Sequence, residues 1–193
     1  DHSHREQEAN EKRNFPVISL IGGKWTTVRV FGEEIADVVL KRLGRKRNCS
    51  TVNIKIGGGR DFPMSESDLD DWISAELIDL EIDRPTLERF AERYGSRARD
   101  VARFCQSGAD KPLAAAQTYS QREIEFLVRN EKARSLSDIL LRRTAIGLEG
   151  GITQNLIEEI GKLMSDILGW SASELDHHKQ LLRDELGKKH SIV

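Results

Sequence analysis

The chain has 193 residues, enough for one well-buried core or a core with part of a second. Thirty Lys and Arg against 32 Asp and Glu leave a net charge of −2, so no basic stripe recommends nucleic acid as a partner. No apolar run reaches the ~20 residues a helix needs to cross a bilayer, and the opening DHSHREQEANEKRN is the opposite of a signal peptide. Cys49 and Cys105 stand far apart and outside any C-x-x-C pattern, which suits a reducing compartment and two buried, inert thiols.

The first fourteen residues show neither the helical nor the strand period, and His2 and His4 are too few to hold a metal by themselves. From Phe15 the pattern sharpens. The apolar run Val17 to Ile21 fits a short buried strand, Gly22 and Gly23 make a tight turn, and Thr26 or Thr27 caps an amphipathic helix running to Leu43. Such a corner receives anions, because glycines admit a ligand to the backbone and the first N–H groups of a helix have no partner within it. Lys24 adds a positive charge beside the amides of Trp25, Thr26 and Thr27, a constellation suited to an anionic flavin ring or a phosphorylated substrate. A plain surface turn is the alternative. The stretch is no P-loop, since Trp25 stands where Ser or Thr is required.

Gly44 to Ser50 reads as a basic loop. Val52, Ile54 and Ile56 alternate as a half-buried strand or extended arm that ends at Gly57, Gly58 and Gly59, a triplet read as a turn because no helix start follows at once. From Ser65 the chain punctuates itself as helices. Ser65 with Asp68 opens Glu66 to Ile78, Asp83 caps Arg84 to Tyr94 with Pro85 in the tolerated first turn, and Gly95 offers a left-handed stop. Arg97 to Cys105 continues as a short helix. Ser120 with Glu123 reads as a full capping box before Ile124, Leu127 and Val128. Leu136, Ile139, Leu140 and Ile146 form the next apolar face. Thr153 or Gln154 starts a helix with a stripe from Leu156 to Leu168, stopped by Gly169; Ser171 with Glu174 opens the last one, which runs to Gly187.

Outside Lys24 the chemistry reads as architecture. Asp138 and Arg142 sit one turn apart, with Arg143 tied to a neighbouring carbonyl or carboxylate; a phosphate or partner site is the alternative reading of the two arginines. His177 and His178 are adjacent, so they point to different sides of a helix and read as solvent-exposed; no spacing suggests a metal site. Trp72 and Trp170 read as core or interface residues.

Three stretches carry a family resemblance: ISLIGGKWTTVR (Ile18 to Arg29), YGSRARDV (Tyr94 to Val101), and the segment from Thr118 to Gly151 that contains LSDILLRRT. Together, and in this order, they resemble the C-terminal part of the FAD-dependent, respiratory glycerol-3-phosphate dehydrogenases. The resemblance implies a mainly α fold, an orthogonal helical bundle preceded by a strand-turn-helix fragment of an FAD-binding α/β domain. It divides the chain into residues 1–45 at the end of the flavin domain, a linker at 46–64, and a helical C-terminal domain at 65–193. Gly22, Gly23, Lys24, Trp25, Thr26 and Thr27 then lie against the flavin ring, with Lys24 as the catalytic residue facing the substrate. Val28 departs from the family, which usually has an aromatic there.

The parent enzyme implied by the resemblance oxidises glycerol 3-phosphate to dihydroxyacetone phosphate and passes electrons through FAD to quinone. It is cytoplasmic, peripherally attached to the inner face of the cytoplasmic membrane. The chain lacks the G-x-G-x-x-G flavin fingerprint, so by itself it is expected to be inactive. A second reading, from a different class, is a helical interaction module whose apolar stripes build a dimer.

Overall fold

The computed structural model describes residues 15–19, 21 and 24–190. They form two compact units that meet in sequence between Ile56 and Gly57. The fold is mainly α, and among the described residues the only β pairing is an isolated antiparallel bridge between Pro112 and Ser120.

The first unit contains one long helix, α1 (Val28–Arg42), entered through a 3-10 turn at Trp25–Thr27. Thr27 occupies the cap position, but its hydroxyl donates backwards to the Lys24 carbonyl at 3.0 Å instead of accepting from a helical amide. The strand expected at Val17 to Ile21 is not formed at its described residues, where Val17 is 48% and Ile21 73% exposed. The expected strand at Val52, Ile54 and Ile56 is likewise absent; Ile54 closes a turn on Thr51, and Ile56 is 84% exposed. A strand is stabilised by a neighbour that satisfies its N–H and C=O groups, and neither segment finds one among the described residues.

What orders the loop after α1 is charge. Glu33 accepts from the Thr51 amide and hydroxyl and from the Ser50 hydroxyl, and Arg47 reaches back to grip Asp37 with two bonds of 3.0 Å while pairing with Glu33 at 2.9 Å. The Thr51 hydrogen bonds, foremost its amide, pull the Glu33 carboxyl down to about 2, and Arg47 lowers that of Asp37. Cys49 in this loop is exposed, contrary to the buried thiol expected, because the segment is tied down by polar contacts and has no apolar layer to enter.

The second unit is a helical bundle: α2 (Glu66–Glu76), α3 (Arg84–Tyr94), α4 (Ala98–Gln106), α5 (Gln121–Asn130), α6 (Gln154–Leu168) and α7 (Ala172–His190). Successive helices from α2 to α7 pack on one another around Leu87, Val101, Ile124, Leu127, Leu136, Ile160 and Met164, all essentially inaccessible. The caps fall where expected. Ser65, Asp83, Ser120 and Thr153 each accept from the backbone amide three residues on, and Gly169 ends α6 in the left-handed conformation at φ 74°. Ser171 and Glu174 close a reciprocal capping box. Helix α7 runs through Gly187 to His190, past the expected stop. An interior glycine costs a helix only ~1 kcal/mol, and the buried Leu182 and Leu186 hold α7 down.

The glycine triplet has a packing role. Gly58 and Gly95 cross backbone to backbone: a Cβ on Gly58 would lie 2.0 Å from the Tyr94 carbonyl oxygen, and one on Gly95, at φ +59°, 2.2 Å from that of Gly58. The Ser96 hydroxyl adds a 3.2 Å bond to the Gly58 oxygen.

Cys105, by contrast with Cys49, is buried, and burial pushes its thiol up to about 12. A thiol reagent applied to the native protein at pH 8 is therefore expected to modify Cys49 within minutes and Cys105 only after denaturant is added. Equal labelling of both in the native state, read by mass spectrometry, would contradict the burial of α4.

Candidate functional site

Lys24 stands exposed on the turn that leads into α1. Its carbonyl accepts the Thr27 amide at 3.1 Å and the Thr27 hydroxyl at 3.0 Å, so this turn is closed by its own polar groups. One of the three amides expected to face a ligand, that of Thr27, is thereby engaged within the turn. Lys24 directly precedes the 3-10 turn that enters the 15-residue α1, the end at which the helix dipole places partial positive charge. Thr26 is exposed beside it; Gly22 and Gly23 lie outside the described residues. Val28, where the resemblance leads one to look for an aromatic, is 59% exposed.

A second polar site lies in the helical unit, and its central residue reads in the sequence only as part of a helix capping box. Glu123 receives its backbone bond from Ser120, but its carboxylate turns inward instead of completing the box. It is 1% exposed and accepts from Tyr94 Oη at 2.6 Å and from Arg93 Nη1 at 3.0 and 3.2 Å. Arg93 also donates to the Thr118 carbonyl at 2.8 Å and lies 3.6 Å above the Tyr119 ring. Burial raises the Glu123 carboxyl above its ordinary range despite the opposing pull of Tyr94 and Arg93, and it raises the Tyr94 phenol as well. The sequence signal was a glutamate on the same helical face as Leu127, an apolar stripe where a charge needs a partner. Glu123 also lines a cleft of about 320 Å³ between α3 and the α4–α5 connection.

Asp138, Arg142 and Arg143 serve the architecture. Residues Asp138–Arg143 form a π-helical turn. Asp138 accepts the amides of Arg134 and Ser135 at 2.9 Å, Arg142 pairs with Glu185 at 3.0 Å, and Arg143 pairs at 3.1 Å with Glu131, which also holds Arg97. His178 departs from the expected exposure: its ring stacks on Trp170 at 3.9 Å and 15°. Burial, followed by the neighbouring His177, lowers its pKa. His2 and His4 lie outside the described residues, and among those described no three His, Cys, Asp or Glu are grouped as metal ligands.

Residues 49–175 match the family described as the C-terminal domain of alpha-glycerophosphate oxidase. The chain belongs to that family. Among its relatives, the glycerol-3-phosphate dehydrogenase of Synechocystis is 28% identical over 169 residues, covering 85% of this chain and 30% of that protein. The mitochondrial glycerol-3-phosphate dehydrogenase of Mesocricetus auratus is 26% identical over 186 residues, covering 90% of this chain and 24% of that protein. A coverage of 90% cannot be supplied by residues 49–193 alone, so the likeness reaches back into the segment that carries Lys24. The structure of the Bacillus halodurans glycerol-3-phosphate dehydrogenase complexed with FAD shares the fold, with a TM-score of 0.69 at 22% identity over 89% of this chain and 35% of that one. The chain thus spans less than a third of the length of these curated relatives. Among the described residues no helix is long and apolar enough to cross a membrane.

Proposed function

We propose that this chain is the C-terminal part of an FAD-dependent glycerol-3-phosphate dehydrogenase. The parent oxidises the C2 alcohol of glycerol 3-phosphate to the ketone of dihydroxyacetone phosphate, losing a hydride from carbon and a proton from oxygen, and the two electrons pass on to quinone at the membrane. The observation that carries this reading is the family match over residues 49–175, joined to relatives that bear this name and align upstream of it. Flavin supplies the two-electron acceptor when bound. This chain's own contribution is the segment of residues 22–27. Lys24 holds a fixed positive charge at the helix start, beside Thr26 and Thr27, where negative charge gathers as hydride leaves the substrate.

The remainder of the flavin site belongs to the parent, because the described residues contain neither a parallel sheet nor a G-x-G-x-x-G turn. On this reading residues 1–45 end the flavin domain, 46–64 link, and 65–193 form the helical domain. The parent is cytoplasmic and peripherally attached to the membrane's inner face, and the 193-residue chain alone is inactive.

The test compares this chain with a version extended upstream through its reading frame. The extended protein is expected to purify yellow and to bleach under anaerobic glycerol 3-phosphate, while the 193-residue chain mixed with FAD shows only the free-flavin spectrum. An extended protein that binds no flavin, or whose flavin ignores glycerol 3-phosphate, overturns the proposal.

A further inference from the structure

We infer that the cleft beside Glu123 is a binding site for a compact neutral polyol. Its volume, about 320 Å³, is at the lower end of ligand pockets. It is walled by Thr86 and Phe90 of α3, Gln106 at the end of α4, and Gln117 of the α4–α5 connection, with the buried residue Glu123 also lining it.

Charge decides the ligand class. The cleft carries three carboxylates, Glu81, Asp110 and Glu123, and two cations, Arg89 and Lys111; Arg93 behind Glu123 brings the balance to neutrality. The amides at the start of α5, which elsewhere make an anion site, are already engaged: that of Arg122 by Asp110 at 3.0 Å and that of Glu123 by Ser120 at 3.1 Å. A phosphate or carboxylate entering here would meet three carboxylates beside the two cations and find those two amides taken, so the balanced lining offers it no excess positive charge. A cation would meet Arg89 and Lys111.

Hydroxyl groups suit what is left. Glu123, which lines the cleft, receives at Oε2 only the longer branch of the Arg93 bond, at 3.2 Å, and that oxygen keeps acceptor capacity. The Gln106 and Gln117 amides each offer a donor and an acceptor, and the Thr86 hydroxyl is fixed by a 2.7 Å bond from Arg89. Donors and acceptors in one small cleft beside Phe90 suit a molecule of the size of a tetritol or pentitol. A second ligand of this kind, separate in charge from a phosphorylated substrate, would let the helical domain respond to polyol levels.

The experiment is a titration of the ¹⁵N-labelled 193-residue chain with erythritol and, separately, with glycerol 3-phosphate, followed by amide chemical shifts. Saturable, millimolar-range shifts confined to Thr86, Gln106, Gln117 and their neighbours are expected with erythritol and not with the phosphate ester. Gln117→Trp changes an exposed position and fills the cleft; it is expected to raise the erythritol Kd by about tenfold or more without altering the helical spectrum. Gln106→Ala is expected to weaken binding in the same direction. Shifts that grow linearly with polyol concentration or scatter over the surface overturn the proposal, as does equal binding of glycerol 3-phosphate, or erythritol binding unaffected by either variant.

Discussion

Arg93→Met is expected to destabilise the helical unit by about 3–5 kcal/mol at neutral pH, the usual consequence of leaving one member of a buried ion pair without its partner. Glu123 is 1% exposed, and Arg93 and Tyr94 are what hold its carboxylate inside the bundle. Without the guanidinium the carboxyl must be protonated to stay buried. Its folded-state pKa is already raised by burial, and a raised carboxyl contributes stability that is complete below its unfolded value, ~4.3, and is lost as pH rises through the folded value. Removing Arg93 moves that folded value further up and deepens the loss. The defect should therefore be smaller in urea unfolding at pH 4 than at pH 7.5, because a carboxyl raised by burial takes up its proton as pH falls. A second change, Glu123→Leu, should restore much of the stability of Arg93→Met at pH 7.5, because no charge is then left unpaired. Equal destabilisation at both pH values would mean that Arg93 acts through packing on Tyr119 alone.

The same residue shows why the sequence disclosed some features and hid others. Helix boundaries were legible because their determinants are local: Asp83 caps α3 and Thr153 caps α6 through the amide three residues on, and Gly169 takes the left-handed turn that ends α6. Ser171-x-x-Glu174 and Ser120-x-x-Glu123 are the same pattern, yet the first closes a surface box while the second sends its glutamate into the core. Only the tertiary position of Arg93, thirty residues earlier, separates them.

Non-local partners also explain the remaining departures. The expected strands at Val17 to Ile21 and at Val52 to Ile56 have the right alternation or apolarity, but a strand is completed by a neighbour, and the described residues hold none. Gly58 and Gly95 read separately as a turn and a helix stop; their crossing, which excludes any side chain at either position, becomes visible only when the two segments are brought together. Cys49 reads as a core thiol from the habit of its residue type, whereas the Glu33–Arg47–Asp37 cluster orders its loop at the surface. Around Lys24, the helix start was legible; the closing of the turn by Thr27 was not, because a threonine before a helix normally accepts a bond and here donates one.

In the full-length enzyme, Lys24→Met is expected to lower kcat by about 10²- to 10³-fold, comparable to removing one fixed electrostatic contact from a site where charge develops in the transition state. We propose this because the Lys24 ammonium and the partial charge at the start of α1 act in the same direction. Methionine keeps an unbranched side chain and removes only the charge, so FAD should remain bound, with its absorption bands shifted by loss of the neighbouring charge. The loss should fall on kcat more than on KM, since the contact strengthens as hydride leaves and contributes less to the ground state. Lys24→Arg keeps the charge but spreads it over a planar fork in place of a compact ammonium, and is expected to retain part of the lost rate. Unchanged turnover in both variants would sink the catalytic role of Lys24. A raised KM with kcat intact would instead make Lys24 a contact to the substrate phosphate. That outcome would leave the turn in the site and move the stabilisation of the departing hydride to residues elsewhere in the parent.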